Sequence, residues 1–136
     1  MQVNVKQYNC LDLKELLMYQ SFHVEELGSD VLKVARVDEQ AIFISYREHN
    51  LYFQVDLGAL NEVKCPELLA DLLDTNTEIV PISFGIDSTE AINPRLVLVA
   101  SLLTVDLSDE EVLMVIDAME LATDRAEEVL SKYITT

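Results

Sequence analysis

Glycine, proline, cysteine and histidine are all scarce in this chain of 136 residues, which holds three, three, two and two of them. Three glycines leave little from which to build a phosphate-cradling loop, and no GxGxxG, Walker, GxSxG or EF-hand spacing occurs. The cysteines, Cys10 and Cys65, form no CxxC pair and have no histidine close by in sequence. Neither a disulfide framework nor a zinc site is therefore expected. His23-Val-Glu-Glu lacks the second histidine of a zinc-protease helix, and His49 falls at a hairpin tip. Carboxylate pairs such as Asp71 with Asp74, or Asp109 with Glu110 and Glu111, lie on helix faces that read as solvated. Acid–base chemistry needs carboxyls whose pKa values are driven apart. Nothing in the spacing has the converging oxygens of a hard-cation loop. The sequence predicts no enzyme: no catalytic residue, no cofactor and no metal.

Basic residues are also few. Nine Lys and Arg stand against 25 Asp and Glu, a net charge of −16. Nucleic-acid binding needs cations to neutralise phosphates, and anionic membrane surfaces are disfavoured for the same reason. No apolar run of about 18 residues is present to span a bilayer. Met1 leads into the polar MQVNVKQYN, which does not read as a signal peptide. A soluble, reducing, bacterial cytoplasmic setting is the expectation.

What is abundant is hydrophobicity. Half of the residues are apolar and the mean hydropathy is +0.18, which excludes a disordered chain. The length suits one domain over residues 1–136 with a core that needs no staples. The acidity is uneven: residues 1–59 carry 9 acids and 5 bases, net −4, whereas residues 60–136 carry 16 acids and 4 bases, net −12. Two readings fit that second half, a solvated face that maintains solubility and a field that steers a basic partner.

Periodicity supplies the elements. Leucines 13, 16 and 17 recur at helical spacing in LDLKELLMYQ (11–20), a short amphipathic helix. A short first strand is read in 22–27, closed by the turn signal Gly28-Ser-Asp30. Three strands follow, VLKVARV (31–37), AIFISYR (41–47) and LYFQVDL (51–57). The last alternates Leu51, Phe53, Val55 and Leu57 against Tyr52, Gln54 and Asp56, a half-buried antiparallel strand. Short polar connectors make this a meander.

Pro66 starts a second helix, PELLADLLD, at the position where its missing N–H is harmless. Cys65 occupies the N-cap, where a thiol at a helix start is open to a lowered pKa and to reactivity. In TEIVPISFGID (77–87), Pro81 marks a strand start or an edge. Ile82, Phe84 and Ile86 then share one face, and Gly85 leaves the other smooth. RLVLVASLLT (95–104) is apolar on both faces, as in a strand covered twice or lying at a subunit contact. Ser108-Asp-Glu-Glu111 is a capping box opening a final helix of about 26 residues, roughly 39 Å long. Its apolar stripe comprises Val112, Val115, Ile116, Met119, Ala122, Ala126, Val129, Leu130 and Tyr133. The fold expected is α+β, a mostly antiparallel sheet packed with helices in the order α-β-β-β-α-β-β-α. The leucines of both short helices and the two-sided strand exceed what a small core needs, so they serve either core or contact.

This order, size and acidity resemble the secretion chaperones of type III systems over the whole chain. Residues 20–134 also resemble an uncharacterised proteobacterial family encoded beside phage-shock-protein-A-like membrane-stress proteins. That likeness lies in Val63-Lys-Cys-Pro66, Pro81-Ile-Ser-Phe-Gly85, Val99-Ala-Ser-Leu102 and Ser108-Asp-Glu-Glu111. The family has an acidic residue where Cys65 stands, which weakens a role for the thiol. The chaperone likeness implies a homodimer with Leu69, Leu72, Leu73, Ile82 and Phe84 near the two-fold axis. It further implies a protein client, with a basic or amphipathic segment, along Leu13, Leu16, Leu17 and Phe43. Two other functions stay open on the sequence: a small-molecule sensor or degenerate enzyme with a pocket between sheet and last helix, and an enzyme using Cys65.

Overall fold

Asn9 starts the first helix. Its side chain accepts a hydrogen bond from the Asp12 N–H at 2.9 Å, while the Asp12 carboxylate accepts one from the Asn9 N–H at 3.1 Å. This reciprocal cap opens α1 (Cys10–Tyr19) in the computed structural model, which describes residues 8–134. Four strands follow as a meander: β1 (His23–Gly28), β2 (Val31–Ala35), β3 (Ile42–Arg47) and β4 (Asn50–Ala59), each antiparallel to the next. The short first strand is therefore present. The β3–β4 turn is only Glu48-His49, with φ of 48° and 66°, the positive pair that matches strand twist in a two-residue hairpin.

β4 alternates as its sequence predicts, with Leu51, Phe53 and Val55 buried. It runs further than expected, and at Gly58 (φ 124°) its register with the last strand of the chain, its neighbour in the sheet, shifts in a bulge. A one-turn helix, α2 (Leu60–Val63), follows; four residues are too few to show a period, so the sequence did not predict it. α3 (Pro66–Thr75) begins at Pro66 as expected, and Cys65 is its N-cap without making a side-chain capping bond. β5 (Ser83–Asp87), β6 (Arg95–Leu103) and α4 (Asp109–Ser131) complete the chain. β5 starts two residues after Pro81 and lies at an edge, in a six-stranded sheet of order β1-β2-β3-β4-β6-β5. Every neighbouring pair is antiparallel. The fold class is the α+β arrangement that the sequence predicts, with the extra strand and the extra helical turn added.

The described helices all pack on one face of this sheet. Leu32, Val34, Ile42, Ile44, Phe53 and Leu98 point inward to meet Leu13 and Leu17 of α1 and Val112, Ile116, Met119 and Ala126 of α4. A second cluster joins Leu60, Leu68, Leu72 and Leu96 to Val129 and Leu130. β6 is therefore covered by helices on one side only, where two-sided cover was one expectation. Its outward residues form a gradient: Val97 is 2% exposed, Val99 half-buried and Leu103 67% exposed.

α4 begins at Ser108, whose hydroxyl oxygen accepts from the Glu111 N–H at 3.1 Å. The Glu111 carboxylate accepts from the Ser108 hydroxyl and not, as a full capping box has it, from the Ser108 backbone. The helix has 23 residues, about 35 Å, and Tyr133 lies just beyond its end. Two tethers orient it. Buried Tyr8 donates its hydroxyl to Asp109 at 2.7 Å. Arg36, stacked 4.5 Å over the Phe22 ring, reaches Asp117 at 2.9 Å and Glu120 at 3.5 Å.

Gly58 and Gly85 have opposite requirements. A φ of 124° is a glycine conformation, and holding another residue there costs about 1–3 kcal/mol. A Cβ on Gly85 would meet Val97 Cγ2 at 3.6 Å, an ordinary contact. Urea denaturation should show Gly58→Ala destabilised by that amount and Gly85→Ala within about 0.5 kcal/mol of wild type.

Candidate functional site

α3 turns Leu68 and Leu72 into the core, and the same helical period leaves Leu69 half-buried and Leu73 70% exposed on its outer flank. The helix is held in place from two directions. The Tyr133 hydroxyl donates to the Asp71 carboxylate at 3.1 Å. At the other end Asn76, the C-cap, accepts through Oδ1 from the Phe84 N–H at 2.7 Å. That bond joins α3 to the edge strand and engages a backbone donor that an edge strand would otherwise present to another strand.

Between α3 and β5 lies a depression of about 330 Å³ lined by Leu69, Leu72, Leu73, Phe84, Gly85, Ile86 and Leu96. Every lining side chain is apolar, and Ile86 is 53% exposed. Four of the five residues expected at a two-fold contact, Leu69, Leu72, Leu73 and Phe84, line this one groove. The fifth, Ile82, does not: it is fully buried in the main core. Alternation puts Ile82 and Phe84 on the same face, but the sheet edge lets only the later residues of β5 reach the groove. Ile86 was not singled out as a contact residue, although the alternation Ile82, Phe84, Ile86 pointed to it.

The four residues expected to meet a client do not form one surface. Leu13 and Leu17 are fully buried and Leu16 packs against the same core, so on α1 the repeated leucines are core. The apolar side chains that α1 exposes are Leu11, Met18 and Tyr19. Phe43 faces the opposite, helix-free side of the sheet, in a depression of about 320 Å³ with Ser45, Tyr52, Gln54 and Val99. There the Arg47 guanidinium stacks 4.5 Å over the Tyr52 ring, and Gln54 Nε2 donates to Asp87 at 3.0 Å.

Groups with potential chemistry are dispersed. His23, at the start of β1, and His49, in the β3–β4 turn, are both exposed and far apart in the sequence. Among the described residues no group of three or more His, Cys, Asp or Glu converges to hold a metal ion. Burial, followed by the nearby Asp30 and Glu26 carboxylates, pushes the Cys10 thiol up, the direction opposite to thiol activation. The space between sheet and α4 is filled by Ile116, Met119, Ala122 and Ala126, all buried. Among the described residues no helix is long and apolar enough to cross a membrane.

With described helices on one face of an antiparallel sheet and a helix–strand groove at one edge, the fold is α+β and type III secretion chaperone-like. Solved structures that share it include two. One is a chain of the heterodimeric complex ExoU–SpcU from the type III secretion system of Pseudomonas aeruginosa. It matches with a TM-score of 0.68 and 16% identity over 85% of this chain and 94% of that one. The other is YbjN of E. coli, put forward as a transcription regulator, with a TM-score of 0.59 and 13% identity over 93% and 92% of the two chains. At these identities the likeness is one of fold. No protein-family model matches the chain, and no curated protein matches it.

If Leu13 and Leu17 are core, Leu13→Ala and Leu17→Ala should each cost about 2–5 kcal/mol in urea denaturation. Leu11→Ala and Met18→Ala, on the exposed side of α1, should stay within about 0.5 kcal/mol of wild type.

Proposed function

We propose that this chain is a chaperone-like protein-binding module of the bacterial cytoplasm. It pairs with a second copy through the α3–β5 groove and holds a partner protein without catalysing a reaction. The observation that carries the reading is the groove: a wholly apolar depression, rimmed by exposed Leu73 and Ile86, on a chain of net charge −16. A charged protein that keeps such a contiguous apolar surface generally uses it for contact.

A second copy suits the groove because a two-fold contact is self-complementary: it offers both a protruding leucine and the depression that receives one. The Asn76 bond to Phe84 favours side-chain packing there over continuation of the sheet. A protein as the held partner is supported by the neighbour found within a heterodimeric secretion complex. The open sheet face around Phe43 and Tyr52 offers such a partner a second surface. The sequence resemblance adds a setting, bacterial membrane stress.

The test is light scattering coupled to size exclusion at micromolar concentration. Leu72 is only 4% exposed, so a charge there would disrupt folding. Leu73→Glu and Ile86→Lys are the informative variants. Wild type should run at twice the mass of the 15.4 kDa chain, and Leu73→Glu at the chain mass, with a native circular-dichroism spectrum and a melting temperature that no longer depends on protein concentration. A wild type that is strictly monomeric, or a Leu73→Glu protein that still pairs, would sink the self-association.

A further inference from the structure

The face of α4 turned away from the sheet has its own pattern. Glu110, Met114, Asp117, Leu121, Asp124 and Glu128 follow one another at alternating intervals of four and three, which aligns them along one side of a helix. Met114 is 70% exposed and Leu121 71%, one heptad and about 10.5 Å apart. Val80, 75% exposed on the α3–β5 connection, flanks them. Between Val80 and the helix runs a depression of about 280 Å³ whose apolar wall includes Ile79, Ala118 and Leu121.

This strip lies in a strongly negative field. α4 carries eight carboxylates and one basic residue. That residue, Arg125, is already held by Glu78 at 3.2 Å and Glu128 at 3.1 Å, and Arg36 is held by Asp117 and Glu120. The last turn of α4 has no basic residue, although Glu127 and Glu128 lie near the negative end of the helix dipole, where cations are favoured. A second copy is a poor occupant, because two such helices would set like charges against each other. An anionic membrane or nucleic acid is repelled by the same field.

We infer that the outer face of α4 docks an amphipathic helix of a partner protein. That helix would place apolar residues at heptad spacing against Met114 and Leu121, with Lys or Arg beside them facing chiefly Glu110 and Asp124, since Asp117 and Glu128 already hold Arg36 and Arg125. Heptad-spaced apolar residues flanked by charges are the geometry in which two helices pack side by side. The inference rests on the protein-binding reading for the class of partner, but it uses a surface separate from the α3–β5 groove.

The probe is a fluorescent 21-residue peptide with leucine at heptad positions a and d and lysine at e and g. Its control is a scrambled peptide of the same composition. Both are titrated into the full chain by anisotropy, with light scattering on the same samples. The patterned peptide should bind more tightly than the scrambled one. The Met114→Asp/Leu121→Asp double variant, which keeps the acidity and removes the apolar strip, should weaken binding about tenfold or more. Glu110→Gln/Asp124→Asn should weaken it less and flatten its salt dependence. Leu73→Glu should leave it unchanged. Absence of binding, equal binding of the scrambled peptide, or indifference to Met114→Asp/Leu121→Asp overturns the inference. Loss of binding in Leu73→Glu also overturns it, assigning the peptide to the groove, while the scattering separately reports whether the chain pairs with itself.

Discussion

One constraint organises the molecule: a six-stranded antiparallel sheet has two faces, and the described helices cover only one. The long central pairing of β4 with β6 sets this up. On β4, Leu51, Phe53 and Val55 all point to the helical side, and their partners across the strand, Leu102, Ala100 and Leu98, point the same way. Once that register is set, a slip of one residue would reverse every side chain. α1, α3 and α4 then have one place to bury their leucines and valines. Core, open face and edge groove follow from the same alternation.

The sheet also has edges, and the two are treated differently. β1 is mostly exposed along its length, with Glu25 and Glu26 among its side chains, the charged edge that discourages pairing with another chain. β5 is short and apolar at Phe84 and Ile86, and its Phe84 N–H is held by Asn76. α3 therefore seals part of that edge while leaving the apolar side chains between helix and strand accessible. The groove is a junction between two incomplete burials, with Leu72 and Leu96 inside and Leu73 and Ile86 outside.

Much of this was legible in the sequence because period and burial agree. Eight of the nine residues in the apolar stripe of the last helix are buried on it, Tyr133 alone falling past its end, and β4 alternates without interruption through Val55. The predicted contact residues of α3 lie together because Leu69 and Leu73 fall a turn apart on the flank of a helix whose other leucines are core. Where the sequence misled, the cause is burial that period alone does not assign. Leucines on α1 share a stripe whether that stripe meets the core or a client, and only packing against the sheet decides. Ile82 and Phe84 share a face, yet the end of the sheet separates core from groove. The cap at Asn9 was missed because its N3 partner is Asp12, where the common box has Glu or Gln. The outer pattern of α4 drew no notice in the sequence, since Met114 and Leu121 are only two apolar positions among its carboxylates.

The central claim is that the α3–β5 groove is the surface through which this chain meets a second copy. Hydrogen–deuterium exchange measured across a dilution series tests it most directly, since it reports location as well as association. The account predicts that protection in residues 69–73 and 83–87 rises with protein concentration while β1 and the outer face of α4 stay unchanged. Concentration-independent exchange in those two segments, or protection that grows only elsewhere, would contradict it.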